Sequence, residues 1–266
     1  MKGAMSNIHF VGGEKGGVGK SVVARVLAQR FIDHNIPFAG IDADQTHGVL
    51  VRSYAEYTQP VNLAAPESTD QILDRALGAN REVLVDLPGQ SAQSLRAWLN
   101  EADVLRFGAE LGITFTYWHV IDGGFASVSE LAQTLDFFGD RLRHIVVKNF
   151  GRGRDFSAFE QSAARAQLDG LGGSVVEFPE LHTASMLAID HSGLSFWAAI
   201  HTAEGERALR PLDRQRVRLW LERCYAVLQP VTPVVEPPAI QVQSNWTSLS
   251  DRNNQQSVVM EQGIMN

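Results

Sequence analysis

Short apolar runs alternate with helix-period stretches along most of the chain. Ile8–Val11 (IHFV) runs into a glycine-rich loop, and apolar positions at Val23, Val26, Leu27 and Phe31 then mark a helix over Ser21 to Phe31. Further apolar runs are Phe38–Ile41, Val83–Val85, Thr114–Ile121, Ile145–Val147 and Ser174–Phe178, with a helical pattern over Ser127 to Phe138. Strands and helices in alternation predict an α/β fold, a mostly parallel twisted sheet with helices on both faces. Such sheets collect ligands at the carboxyl ends of their strands. The polar residues that stand out fall there: Asp42 and Asp44, Asp86, Asp122-Gly123-Gly124, Lys148-Asn149 and Pro179.

The loop after the first run reads GGEKGGVGKS, residues 12–21. Gly16, Gly17 and Gly19 let backbone N–H groups turn inward and form an anion site that continues into a helix N-terminus. Lys20 supplies positive charge for β- and γ-phosphates, and the Ser21 hydroxyl suits Mg²⁺. A plain strand-to-helix turn needs one or two glycines, not three followed by Lys-Ser. The strict phosphate-loop pattern would place a glycine at position 14, where this chain has Glu14, followed by an additional lysine, Lys15.

Composition narrows the classes. The 266 residues are 44% hydrophobic, enough for one large α/β domain. No apolar run reaches the roughly 20 residues that cross a bilayer, and the opening MKGAMSN is too polar and short for a signal peptide. We expect a cytoplasmic protein with no membrane attachment. The single cysteine, Cys224, excludes an intramolecular disulfide and fits core packing in its apolar helix pattern. The eight histidines lack metal-ligand spacing. A net charge of −7 argues against a wholly basic nucleic-acid binder, though a local patch stays open.

KGGVGKS (Lys15 to Ser21) resembles the deviant Walker A motif of the MinD/ParA ATPases, a branch of the P-loop NTPases. Members often carry Gln or Gly where this chain has Glu14, so the departure is one of charge. The resemblance implies that Gly16, Gly17, Val18, Gly19, Lys20, Ser21 and Val22 bind ATP or ADP with Mg²⁺. It further implies that Lys15 reaches across an ATP-bound homodimer to the other subunit's phosphates. IDADQ (Ile41 to Gln45) resembles the family's second-strand motif, in which Asp42 supports the Mg²⁺ hydration shell and Asp44 orients or deprotonates the attacking water. VLVDLPG (Val83 to Gly89) resembles its Walker B segment, with Asp86 holding a magnesium-bound water and the Gly89 N–H facing the γ-phosphate. VVKNF and EFPEL resemble the segments that recognise adenine, which assigns Asn149 and Pro179 to the base. The resemblance spans about residues 7 to 200. For Asp122-Gly123-Gly124, by contrast, turn chemistry is a sufficient account.

The function implied is a dimerising ATPase switch that hydrolyses ATP slowly to position or partition a cargo (plasmid, DNA or protein complex), or to regulate a transfer or secretion apparatus. Two alternatives stay open: a metabolic synthetase or kinase on the same scaffold, and a non-hydrolysing interaction module. The extra lysine speaks against the first, and the intact set Lys20, Ser21, Asp44 and Asp86 against the second. A reductase with a cluster shared between subunits fails, because each subunit would need two cysteines.

The ATPase domain is expected over residues 1–228, its last part, 204–228, rich in arginine. Val217, Leu221, Cys224 and Leu228 form a helical stripe, with Arg214, Arg218 and Glu222 on the other face. That face reads as solvated and tied by Arg–Glu pairs, or as a DNA-contacting patch through Arg214 and Arg218. Residues 229–266, opening with QPVTPVVEPP, read as a disordered or partner-dependent tail.

Overall fold

The computed structural model describes residues 6–77 and 80–233. Its strands are β1 (Asn7–Gly12), β2 (Phe38–Asp42), β3 (Thr58–Pro60), β4 (Glu82–Asp86), β5 (Thr114–Ile121), β6 (Arg143–Asn149) and β7 (Ser174–Phe178). They form one seven-stranded sheet in the order β3-β2-β4-β1-β5-β6-β7, with every neighbouring pair parallel. This is the α/β architecture anticipated. Parallel neighbours cannot be joined by hairpins, so helices carry the crossovers.

α1 (Lys20–Asp33) follows the glycine loop, and the short α2 (Val49–Ser53), α3 (Pro66–Thr69) and α4 (Gln71–Ala76) lie between β2 and β4. α5 (Ala92–Glu101) and α6 (Val104–Glu110) lead from β4 to β5, and α7 (Phe125–Phe138) from β5 to β6. α8 (Ser157–Glu160) and α9 (Ala163–Gly170) precede β7. After it come α10 (Thr183–Ser192), α11 (Phe196–His201) and α12 (Pro211–Leu228).

The pleat sends alternate residues of each strand into different cores. Val11, Leu84 and Trp118 pack with α1, α11 and α12 through Val23, Phe196 and Trp220. Ile8, Phe10, Val83 and Val85 pack on the other face with Ile72, Leu95 and Leu105 of α4, α5 and α6. Strands buried on both faces explain why they read as unbroken apolar runs rather than as alternation.

The register fixes the site. Asp42 on β2 stands opposite Asp86 on β4, and Val11, just before the loop, stands opposite Asp86 from the other side. Asn149 ends β6 beside Phe178 on β7. The loop and both carboxylates therefore share one edge of the sheet.

At the far end of α1, buried Arg30 donates to the Gln229 side chain (2.6 Å) and the Thr232 carbonyl (2.7 Å), and Arg143 donates to the Val231 carbonyl (2.7 Å). The packed body thus continues past α12 to Thr232. The rest of the tail, from residue 234, lies outside the described residues. Among the described residues no helix is long and apolar enough to cross a membrane.

Candidate functional site

The glycine loop bends sharply into α1. Gly19 precedes the helix with φ 100°, in the left-handed region, and a Cβ there would collide with the Asn149 amide. Asn149 is buried and donates to the Val18 carbonyl at 2.7 Å, while its oxygen accepts the Gly151 N–H at 3.0 Å. The residue assigned to adenine thus also braces the loop from two strands away.

Gly16, Gly17, Gly19, Lys20, Ser21, Asp44 and Gly89 line one recess. The Lys20 ammonium folds back onto the Lys15 carbonyl at 3.0 Å. Burial lowers its pKa, with Asp86, Glu14, Glu130 and Asp44 pulling the other way.

Asp86 is fully enclosed; its carboxylate meets no protein donor at full hydrogen-bond geometry, and the Ser21 hydroxyl and Lys20 are the groups that favour its charge. Burial raises its pKa to about 7; the Ser21 hydroxyl and Lys20 oppose the shift, while the neighbouring charges of Asp42 and Asp44 add to it. A buried anion supported by so little is costly. It fits a hydrated divalent cation at Ser21, which would satisfy those oxygens through water. No cluster of three or more His, Cys, Asp or Glu side chains suited to a metal occurs among the described residues.

Asp42 is buried and accepts the Asp44 N–H (3.1 Å) and the Val51 N–H (2.9 Å). Burial raises its pKa, those backbone donors oppose the shift, and Asp44's charge adds to it. Asp44 closes a turn: it accepts the N–H groups of Thr46 and His47 and lies 3.0 Å from the His47 ring. Burial pulls its pKa up, but the His47 and Thr46 contacts outweigh that and leave it lowered. Asp44 faces the phosphate recess with His47 attached to it.

Lys15 points away from Lys20. Its ammonium lies 2.5 Å from Asp122, and its N–H donates to Glu130 of α7 at 2.6 Å. Asp122 also accepts the Gly124 N–H (3.1 Å) and the Ser127 hydroxyl (2.8 Å), so the turn anticipated at 122–124 does form. Turn chemistry alone misses the ion pair to a lysine 107 positions earlier.

A second recess adjoins the first. Asn149, Phe178, Pro179, Leu181, Met186 and Trp220 line it, and Val22, Arg152 and Asp190 line both. Asp190 is fixed by Arg25, buried in α1, at 2.7 Å. The Trp220 indole N–H donates to the Pro179 carbonyl at 2.8 Å, so α12 holds that wall of the second recess in place. Arg25, Arg152, Asp190 and Trp220 carried no sequence signal for a site, although Arg25 and Trp220 lie in recognisable helical patterns.

On α12 the apolar stripe Val217, Leu221, Cys224 and Leu228 is buried as anticipated. The ion pairs on this helix are not Arg–Glu: Arg210 and Arg216 each contact the buried Asp213 at 2.8 Å. Arg214 is half-buried, with its Nε enclosed, and Arg218 donates to Gln215 at 3.2 Å.

No family model matches the chain. It is 24% identical over 226 residues to Protein TraL of Escherichia coli, covering 81% of this chain and 94% of that one. It is 25% identical over 187 residues to Protein MobD of Acidithiobacillus ferrooxidans, covering 66% and 78%. Among solved structures it is similar to the MinD cell division protein of Aquifex aeolicus, at 12% identity and a TM-score of 0.47, covering 84% and 97%. In loop sequence the chain resembles the MinD/ParA ATPases.

Proposed function

We propose that this chain is a MinD/ParA-type ATPase, a switch that binds MgATP, dimerises on it and hydrolyses it slowly to position or regulate a macromolecular cargo. The observation that carries the reading is the buried Asp86 carboxylate, favoured only by Ser21 and Lys20, beside a loop that carries two lysines. A turn without a ligand has no use for a carboxylate enclosed in that way.

In this reading the N–H groups of Gly16 to Ser21 receive the phosphate oxygens, and Lys20 leaves the Lys15 carbonyl to meet them. Ser21, with Asp42 and Asp86 through water, would hold Mg²⁺, whose charge would offset that of the nucleotide phosphates. Asp44 orients the attacking water once His47 gives way. The Gly89 N–H faces the terminal phosphate, and Asn149 and Pro179 border the base. Lys15, released from Asp122, acts on the phosphates of the other subunit, where a cation stabilises charge developing on the transferred group.

The cargo is a protein in our reading. DNA contact through Arg214 and Arg218 has little geometric support, since Arg214 is half-buried and two other arginines of this segment are paired with Asp213. Titration calorimetry of native protein and Lys20→Ala with MgATP tests the proposal. We expect micromolar-range binding by the native protein and at least a hundredfold loss in the variant, on the order of 3 kcal/mol for a charged phosphate contact. Equal affinity in the two proteins would remove the nucleotide site.

A further inference from the structure

Position 14, where the loop departs from the strict pattern, has a task in this structure. The chain leaving β4 through Pro88, Gly89 and Gln90 must enter α5, whose first N–H groups have no partner within their own helix. Ser91 at its N-cap makes no side-chain cap bond; its hydroxyl donates to the Pro88 carbonyl at 2.9 Å. Glu14 does the capping instead, from 78 positions away: its carboxylate accepts the Ala92 N–H at 2.8 Å. Its carbonyl accepts the Gln90 N–H at 3.2 Å, with Gln90 held at φ 59°, a conformation few non-glycine residues adopt. A Cβ on Gly89 would stand only 3.2 Å from that same carbonyl.

The contacts continue. Arg96 of α5 donates to the Gln133 carbonyl of α7 at 3.2 Å and lies 4.7 Å over the Phe137 ring. α7 in turn sends the Glu130 carboxylate back to the Lys15 N–H. A ring of contacts runs from the phosphate loop through α5 and α7 and returns to the loop one residue further on.

We infer that Glu14 is a positioning residue that couples occupancy of the phosphate loop to α5 and α7. The coupling rests on the nucleotide reading above; the clamp itself does not. The carboxylate stabilises the positive end of α5, and it does so within a loop whose amides and Lys20 attract anions. Phosphate oxygens arriving at Gly16 to Ser21 bring like charge towards Glu14 and compete with it for Lys20, so the clamp loosens as the loop fills. The released segment contains Gly89, and α7, at the other end of the ring, holds Lys15 through Glu130.

Hydrogen exchange read by mass spectrometry, on the full chain, tests both parts. Without nucleotide, Glu14→Ala should raise exchange across residues 90–95 about tenfold, as expected for losing a bond to a charged acceptor at a helix start. Glu14→Gln keeps an oxygen that can accept the Ala92 N–H and should restore most of the protection. In the native protein MgATP should raise exchange in this segment and ADP should do so less, whereas Glu14→Ala should show no further nucleotide response. Equal protection in native and Glu14→Ala proteins without nucleotide overturns the clamp. Lost protection with a native-sized MgATP response overturns the coupling. Calorimetry on the same samples separates the causes: absence of MgATP binding to the native protein overturns the coupling together with the nucleotide reading, and leaves the nucleotide-free comparison to judge the clamp.

Discussion

The ammonium of Lys15 lies 2.5 Å from the carboxylate of Asp122, and that contact joins the phosphate loop to the N-terminal end of α7. Lys15 is 37% exposed and Asp122 17%, so the pair is half-open to water and worth on the order of 1 kcal/mol. Burial pulls the Asp122 pKa up, but Lys15, Ser127 and the Gly124 N–H outweigh it and hold the group ionised below the usual carboxylate range. The single chain therefore gives Lys15 an anion of its own, which the phosphates of the proposed second subunit would have to displace.

Asp122→Asn should release Lys15 and tighten ATP-dependent dimerisation by about fivefold, the size expected for a partly exposed ion pair. Lys15→Gln should weaken dimerisation and leave ADP binding to the monomer intact. Sedimentation velocity across a concentration series with ATP reads both. Weaker dimerisation of Asp122→Asn would show that Asp122 is needed in the dimer itself.

Six of the strands and the phosphate loop were legible because parallel strands buried on both faces are short unbroken apolar runs followed by turn residues. β3 was not: it is an edge strand of three residues, Thr58–Pro60, ending in a proline, too short for any period. Within the site, the local motifs were readable and the long-range contacts were not. Asp122 looked like a turn because it is one, and nothing near it in sequence announces Lys15. Glu14 registered only as a change of charge, since its partner Ala92 lies 78 positions away. The α12 stripe places Trp220 in a helix but cannot show its indole N–H reaching Pro179.

Asp44→Ala should slow hydrolysis and hold the ATP dimer. Asp44 lies at the phosphate recess, and its loss also breaks the turn that includes His47. His47→Ala separates these effects: it removes the ring contact and keeps the carboxylate, so turnover should stay within about threefold of native, as for an exposed ion pair. Steady-state phosphate release together with sedimentation decides. A strictly monomeric Asp44→Ala protein with ATP bound would favour a metabolic enzyme on this scaffold.

Asp86→Asn should separate stability from function. Removing a charge that burial disfavours, despite Ser21 and Lys20, should raise the melting temperature of the nucleotide-free protein by about 2 °C or more, the shift that ~1 kcal/mol gives in a domain of this size. The same change should cut the Mg²⁺-dependent gain in ATP affinity at least tenfold, and EDTA should bring native protein down to the variant's level. Thermal melts, and calorimetry with and without EDTA, provide the readings. A variant that melts lower and binds MgATP normally would mean that Asp86 is structural.

Arg214→Glu with Arg218→Glu tests the remaining route to DNA. If the ATP dimer contacts DNA there, nonspecific duplex should shift in a gel at low salt with the Asp44→Ala background, and the double substitution should abolish the shift. Log affinity should then fall against log salt with a slope near −0.9 per phosphate neutralised. We expect no shift in either protein, given the half-buried Arg214 and the chain's net charge of −7.

The last prediction concerns Asp213, which pins α12 to α10. It accepts the Ser185 hydroxyl at 2.8 Å and pairs with Arg216 and Arg210. The Ser185 bond and the two arginines, working against burial, bring its pKa down to about 2. A carboxylate whose folded pKa is depressed contributes stability that is fully present above its unfolded pKa near 4 and is lost as the pH falls towards 2. The depression is nearly two pH units, or about 2 kcal/mol; because Arg210 is largely exposed and screened, we expect 1–2 kcal/mol. Asp213→Asn should therefore be less stable than native by that amount at pH 6, and the two proteins should converge between pH 4 and pH 2. Taking the difference between their urea unfolding curves cancels the other carboxylates. Because α12 also holds Pro179 through Trp220, the variant should lose some ATP affinity at neutral pH while Lys20 and Asp86 stay untouched. A stability difference that stays constant from pH 6 to pH 2 would show that Asp213 acts through packing rather than through its charge.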